Sequence, residues 1–172
     1  MISMYRLRKG PAVITTIFFT ILGASLLLGN TALSSGAEGS GNFLRDLKAV
    51  VTVNGFNLTA DLAITDEQKA EGLAVKDSLK ENEGMLFVYE QPSDQSFWMK
   101  DMKFPIDIIW LNNNGTVVYI RHNLQPCIMT FDFLCPIYTP DKDSLYVLET
   151  VSGFSKKHSI KIGTHVDFQL IS

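Results

Sequence analysis

Four charged residues interrupt otherwise apolar stretches of this chain. Glu83 precedes Gly84-Met85-Leu86-Phe87, and Lys100 follows Phe97-Trp98-Met99. Asp107 lies inside Pro105-Ile106-Asp107-Ile108-Ile109, and Glu149 ends Tyr146-Val147-Leu148. A charge set into a hydrophobic run must find a partner or face a cleft, because burying it alone is costly. Two chemistries follow. In the plainer one the charges form strand-end ion pairs, Lys100 with Asp107 for instance. In the sharper one Lys100 and Asp107 line a pocket for a small polar ligand beside Trp98, whose ring face suits sugars and cations. Trp98, Lys100, Asp107, Glu83 and Glu149 are therefore the candidate ligand-binding residues. A carboxylate pair drawn from Glu83, Asp107 and Glu149 would instead suit hydrolysis, given the right separation.

Other site chemistries find less support. His122, His158 and His165 have no metal-ligand spacing. Met99 and Met102, with Met85 and Met129, could offer thioethers to Cu(I), but methionine among aromatics is the usual core filler. Nucleophile elbows, phosphate loops and dinucleotide fingerprints are absent from the sequence. No catalytic residue, metal or cofactor is assigned.

The chain has two cysteines, Cys127 and Cys135. Their spacing is wider than that of zinc or redox pairs, and an even count in an exported protein points to a disulfide. The ring is small, worth about 2.5 kcal/mol by chain entropy. Between and beside the cysteines stand Ile128, Met129, Phe131, Phe133, Leu134, Ile137 and Tyr138. So apolar a loop is expected to fold back over the domain, the alternative being an exposed binding edge.

Several short elements must position these residues. Residues 47–53 alternate apolar and polar, Asn54-Gly55 follows, and 56–62 alternate again, the strongest local hairpin signal. Thr65 and Gln68 fit a capping box opening a short helix that ends near Gly72. Strands are expected at 85–89, 96–99, 107–111, 116–120, 145–151 and 165–170, with a hairpin turn at 112–115 and a helical turn within 153–159. Asn57 and Asn114 begin N-x-T sequons at expected turns or exposed faces. The fold class is mostly β (α+β): a compact small barrel or sandwich of seven or eight short strands with one or two short helices.

Residues 12–28 carry no charge, and Arg6, Arg8 and Lys9 precede them. This is the form of a signal anchor or signal peptide, with the basic end cytoplasmic. Seventeen residues span roughly 25 Å, which favours a retained anchor over a cleaved signal. The expected organisation is an N-terminal apolar helix within 1–33, a Gly/Ser-rich tether over 34–42 and a globular domain over 43–172. The expected location is the cell membrane, single-pass with the domain outside the cytoplasm, or secretion after cleavage. Beyond residue 28 the chain holds 12 cations against 18 acids, which argues against nucleic-acid binding.

Several motifs occur together in one order. They are Glu71-Gly72-Leu73, Glu83-Gly84-Met85-Leu86-Phe87, Phe97-Trp98-Met99-Lys100, Pro105-Ile106-Asp107-Ile108, Asn114-Gly115, Tyr146-Val147-Leu148-Glu149 and Ile162-Gly163. The chain thereby resembles the prokaryotic domain-of-unknown-function family 192, from Val50 to Leu170. It departs at Ala74, where the family usually has Met, and at Asp101-Met102, which stand for Asn-Thr. The resemblance implies a small, mostly β domain, often exported or anchored, and no activity. The functional expectation is an exported, membrane-tethered ligand-binding or accessory module. A hydrolase using a carboxylate pair and a non-catalytic envelope protein are the alternatives.

Overall fold

The computed structural model describes residues 47–171. The apolar segment and the tether expected before them lie outside the described residues. Nine strands, β1 (Lys48–Val53), β2 (Phe56–Ala63), β3 (Glu83–Ser93), β4 (Phe97–Trp98), β5 (Ile106–Leu111), β6 (Val117–Leu124), β7 (Ile137–Tyr138), β8 (Ser144–Val151) and β9 (Val166–Ile171), carry the fold. Two short helices, α1 (Asp66–Glu71) and α2 (Phe154–Lys157), accompany them.

Local chemistry explains several elements. Asn54 and Gly55 both have positive φ, 47° and 80°, the requirement of a type I′ turn, and pair Val53 with Phe56. Thr65 caps α1: its hydroxyl accepts from Gln68 N, and the Gln68 side chain accepts from Thr65 N. The Asn112 side chain accepts from the amides of Asn114 and Thr116, holding the β5–β6 turn.

Seven strands form one sheet in the order β6-β5-β8-β3-β2-β1-β9, and β4 pairs with β7 in a separate ribbon. All neighbours are antiparallel except β2 and β3, which run parallel through the α1 crossover. The expectation of a barrel or sandwich is thus corrected to a curled open sheet. Its edges touch at one end only, where Thr116 bridges His165 and Val117 N donates to Thr164 O at 2.9 Å. The rest of β6 and β9 stay unpaired with each other, so no ladder closes a barrel.

Both faces of the sheet are covered. One carries a cluster drawn from all seven strands, including Val51, Leu58, Leu86, Ile109, Val117, Leu148 and Val166, plugged by Phe154 and Ile160. The other carries Met85, Phe87, Ile106, Ile108, Trp110 and Val147 beneath a layer formed by Leu73, Leu79, Phe97, Trp98, Met99 and Met102. Strand β5, flanked by β6 and β8, is therefore buried at every position, and its sequence reads as an almost unbroken apolar run. The outlying β1 alternates buried with more exposed residues, as a strand covered on one face should.

Candidate functional site

Alternation along β5 decides where Asp107 points. Ile109 and Leu111 belong to the cluster on one face, and Ile106, Ile108 and Trp110 to the other. Asp107 shares the face of Ile109. It is fully buried, yet its carboxylate is well satisfied. Oδ1 accepts from Asn123 N at 2.8 Å and Gly153 N at 3.1 Å, and Oδ2 accepts from Ser155 N at 2.9 Å. One side chain thus fastens the end of β6 and the turn into α2 to the sheet. Burial without this set of donors would be prohibitive.

Those two segments frame a cleft of about 690 Å³. Asp107 and Ser155 form its buried floor, Ile160 gives an apolar wall, and His122, Lys156 and Lys161 bring cationic or titratable groups. His122 Nδ1 stands 3.8 Å from Asp107 Oδ2, with its own side chain largely exposed. Ser155 Oγ is buried and has no hydrogen-bond partner within the described protein, so an unspent hydroxyl lies at the floor. Asn123, at φ 49°, directs its side-chain oxygen to Ser152 Oγ at 2.7 Å, stiffening the same rim.

The other sequence candidates lie elsewhere. Lys100 pairs with Asp132 at 2.7 Å and with Asp101 at 3.5 Å. The Asp132 hydrogen bond and the nearby acids hold its pKa above the ordinary lysine value. Its ammonium also lies 5.6 Å from the centre of the Trp98 ring. Trp98 itself packs in the cluster on the face opposite Asp107, its indole N–H buried without a partner among the described residues. The expected Lys100–Asp107 ion pair is therefore not formed, and Trp98, Lys100 and Asp107 do not share one pocket. Met85, Met99 and Met102 pack in that same cluster as core residues, whereas Met129 is exposed.

Glu83 sits at the start of β3. It bonds Lys80 through both that residue's amide, at 3.1 Å, and its ammonium, at 3.3 Å. Glu149 has the opposite surroundings. It lies opposite Met85 on β3 and Ile108 on β5, fully buried, and neither carboxyl oxygen has a hydrogen-bond partner among the described residues. Burial pushes its pKa up to about 8, so it is a neutral acid at neutral pH. Because Ile108 faces Glu149 and Asp107 faces Thr150, the two acids project to opposite sides of the sheet. The carboxylate pair required for hydrolysis is not assembled from them.

Sequence reasoning missed His122, Ser155, Lys156 and Lys161 as a group. Nothing local marks them: Ser155 reaches Asp107 across 48 positions. It also missed Lys69, which is buried on α1 with its ammonium 4.7 Å from the Tyr89 ring centre. Burial holds the Lys69 pKa below its ordinary value, against the pull of Asp66 and Glu90. The Cys127–Cys135 disulfide is present, with the Cα atoms 5.8 Å apart.

Comparison with known proteins agrees with this architecture. Residues 49–168 match the family model DUF192, described as "Uncharacterized ACR". A crystal structure from Sinorhizobium meliloti 1021, provisionally described as a transcription regulator, is 25% identical with a TM-score of 0.62. The match covers 71% of this chain and 93% of that one. A protein of unknown function from Novosphingobium aromaticivorans DSM 12444 is 29% identical with a TM-score of 0.59, covering 70% of this chain and 83% of that one. No curated protein matches the chain.

Proposed function

The chain belongs to the DUF192 family, and we propose that it acts as an exported, membrane-tethered module that binds a small anionic ligand in the cleft above Asp107. One observation carries the reading. The cleft floor presents a buried hydroxyl, Ser155 Oγ, with no partner among the described residues, while Lys156 and Lys161 supply positive charge around it. A carboxylate or phosphate group would pair with the lysines and accept from Ser155. The rest of the ligand would lie on the apolar wall at Ile160. In this reading Asp107 is a positioning residue, since its oxygens are already committed to three backbone amides.

The membrane placement rests on the uncharged stretch 12–28 behind Arg6, Arg8 and Lys9, with the domain outside the cytoplasm. Among the described residues no helix is long and apolar enough to cross a membrane. A disulfide among the described residues suits an oxidising compartment. The regulator description of the Sinorhizobium meliloti protein is not carried over, because 12 cations against 18 acids beyond residue 28 favour no DNA surface.

Thermal denaturation of the full chain in detergent tests the ligand class. Phosphate, sugar phosphates and dicarboxylates would be compared with neutral sugars, amino acids and metal ions. A ligand at 100 times its dissociation constant adds about 2.7 kcal/mol of stability. An anion should stabilise the wild type and not the Lys156→Ala/Lys161→Ala variant, both lysines being exposed. Stabilisation by neutral sugars alone, or by an anion in both proteins, would sink the assignment.

A further inference from the structure

We propose that the loop closed by Cys127 and Cys135 is a bilayer-docking element that inserts Ile128, Met129, Phe131 and Phe133 into the membrane interface. Contrary to the sequence expectation, this loop does not fold back over the domain. Ile128 is 91% exposed and Phe133 81% exposed, with Met129, Phe131, Leu134 and Ile137 all more than half exposed. So many large apolar side chains at one place mark a docking surface.

The loop is built to hold them outward. The disulfide closes it, and Leu134 N and Cys135 N donate to Phe131 O and Asp132 O at 3.0 Å each. Cys127 bridges Lys100, and Cys127 N donates to Met99 O at 2.9 Å, which fixes the loop base to the domain. The Phe131 and Phe133 rings stack with centroids 5.5 Å apart. Little further ordering is needed on docking, which lowers its entropic cost.

Two observations choose a bilayer as the occupant. The first is the chemistry of the tip. Residues 128–134 are Ile, Met, Thr, Phe, Asp, Phe and Leu, without the Tyr, Trp or Arg that dominate protein–protein hot spots. Asp132 is the one charge among them, and Lys100 neutralises it at 2.7 Å. The second is reach, and here the inference rests on the anchored reading above. From Leu33 to Lys48 the chain has about 15 residues, a length over which a Gly/Ser-rich sequence spans roughly 20 Å. A folded body of this size has a radius of gyration of about 14 Å, so every face of it can reach the membrane. Insertion to a depth of about 5–10 Å would bury the exposed tip.

The test uses the full chain in phosphatidylcholine vesicles, with and without dibrominated lipid. Phe133→Trp places a probe at the exposed tip, while the native Trp98 and Trp110 are buried and give the background. Alkaline extraction of the same vesicles reports the anchor separately. The expected result is retention, with blue-shifted probe emission quenched about twofold more than wild type. A retained protein whose Phe133→Trp probe is no more quenched than wild type overturns docking and leaves the anchor standing. A released protein with a quenched probe upholds docking and removes the anchor. Release without quenching overturns both. The Phe131→Ser/Phe133→Trp pair should lose most of the quenching, and a probe indifferent to Phe131 would also count against insertion.

Discussion

Replacing Glu149 by Gln should raise the stability of this protein at neutral pH and flatten its pH dependence. In the folded state the Glu149 carboxyl has no hydrogen-bond partner among the described residues, and burial raises its pKa from 4.5 to about 8. In the unfolded chain it ionises near 4.5. Between those values the folded state binds the extra proton, so stability must fall as pH rises. The stabilising contribution is complete below pH 4.5 and is lost progressively as pH climbs through 8. The slope is about 1.4 kcal/mol per pH unit, so roughly 3 kcal/mol is lost between 4.5 and 7. A glutamine cannot ionise, and its amide resembles the neutral acid in size and polarity. The gain at pH 7 should therefore be about 2–3 kcal/mol, less any difference in burying the amide. Urea unfolding followed by tryptophan fluorescence at half-unit steps from pH 5 to 8.5 measures it. Glu83 shows the opposite shift: its hydrogen bond from the Lys80 amide lowers its pKa, so its effect falls at more acid pH. The difference between wild type and variant should be small at pH 5 and widen with pH. A variant with the same slope as wild type, or one weaker than wild type throughout, would refute the reasoning. It would mean that Glu149 is ionised and has a partner in the folded protein.

Three further outcomes follow from the packing. Asp107→Asn replaces a charged acceptor with an amide that has one oxygen for three backbone donors, and should cost about 2–4 kcal/mol, read as a lower urea midpoint. Reduction of the Cys127–Cys135 disulfide should cost about 2.5 kcal/mol, and the doubly serine-substituted protein should lose its sensitivity to reductant. Intact mass must rise by two hydrogens on reduction, and a purified protein with two free thiols would contradict the bridge. Gly84→Ala would set a methyl 2.8 Å from the Glu149 carbonyl oxygen and 2.8 Å from Leu58 Cδ1. The backbone oxygen cannot yield freely, so a loss of about 1–3 kcal/mol is expected in the same assay.

Local signals were legible in the sequence where local physics decides the structure. The Asn54-Gly55 turn, the Thr65–Gln68 box and the alternating β1 and β2 each depend on neighbours a few positions away. The parallel pairing of β2 with β3 was not legible, because the crossover through α1 and the 3-10 turn Gly72–Val75 leaves no mark in either strand. Nor was the short junction between sheet edges around Thr116 and His165, which distinguishes a curled sheet from a closed barrel. The exposed loop misled for a different reason. Apolar residues normally point inward, and only tertiary structure shows the base already filled by Phe97, Trp98 and Met99.

Asp107 and Glu149 show how far a buried charge can be interpreted from its own neighbourhood. Both are acids inside apolar strands, and both are completely buried on adjacent strands of one sheet. Pairing places Asp107 opposite Thr150 and Ile108 opposite Glu149, so a single position of register separates the acids onto opposite faces. On one face Asp107 meets three amides supplied by a β6 terminus and the turn into α2. On the other Glu149 meets Met85 and Ile108 and no donor among the described residues. Asp107 therefore organises the rim of a cleft, and Glu149 becomes a neutral acid that makes folding sensitive to pH. A slip of one residue between β5 and β8 would put both acids on one face. The strand pattern announces that a charge is buried, whereas the long-range register decides whether it builds a site or weakens the fold.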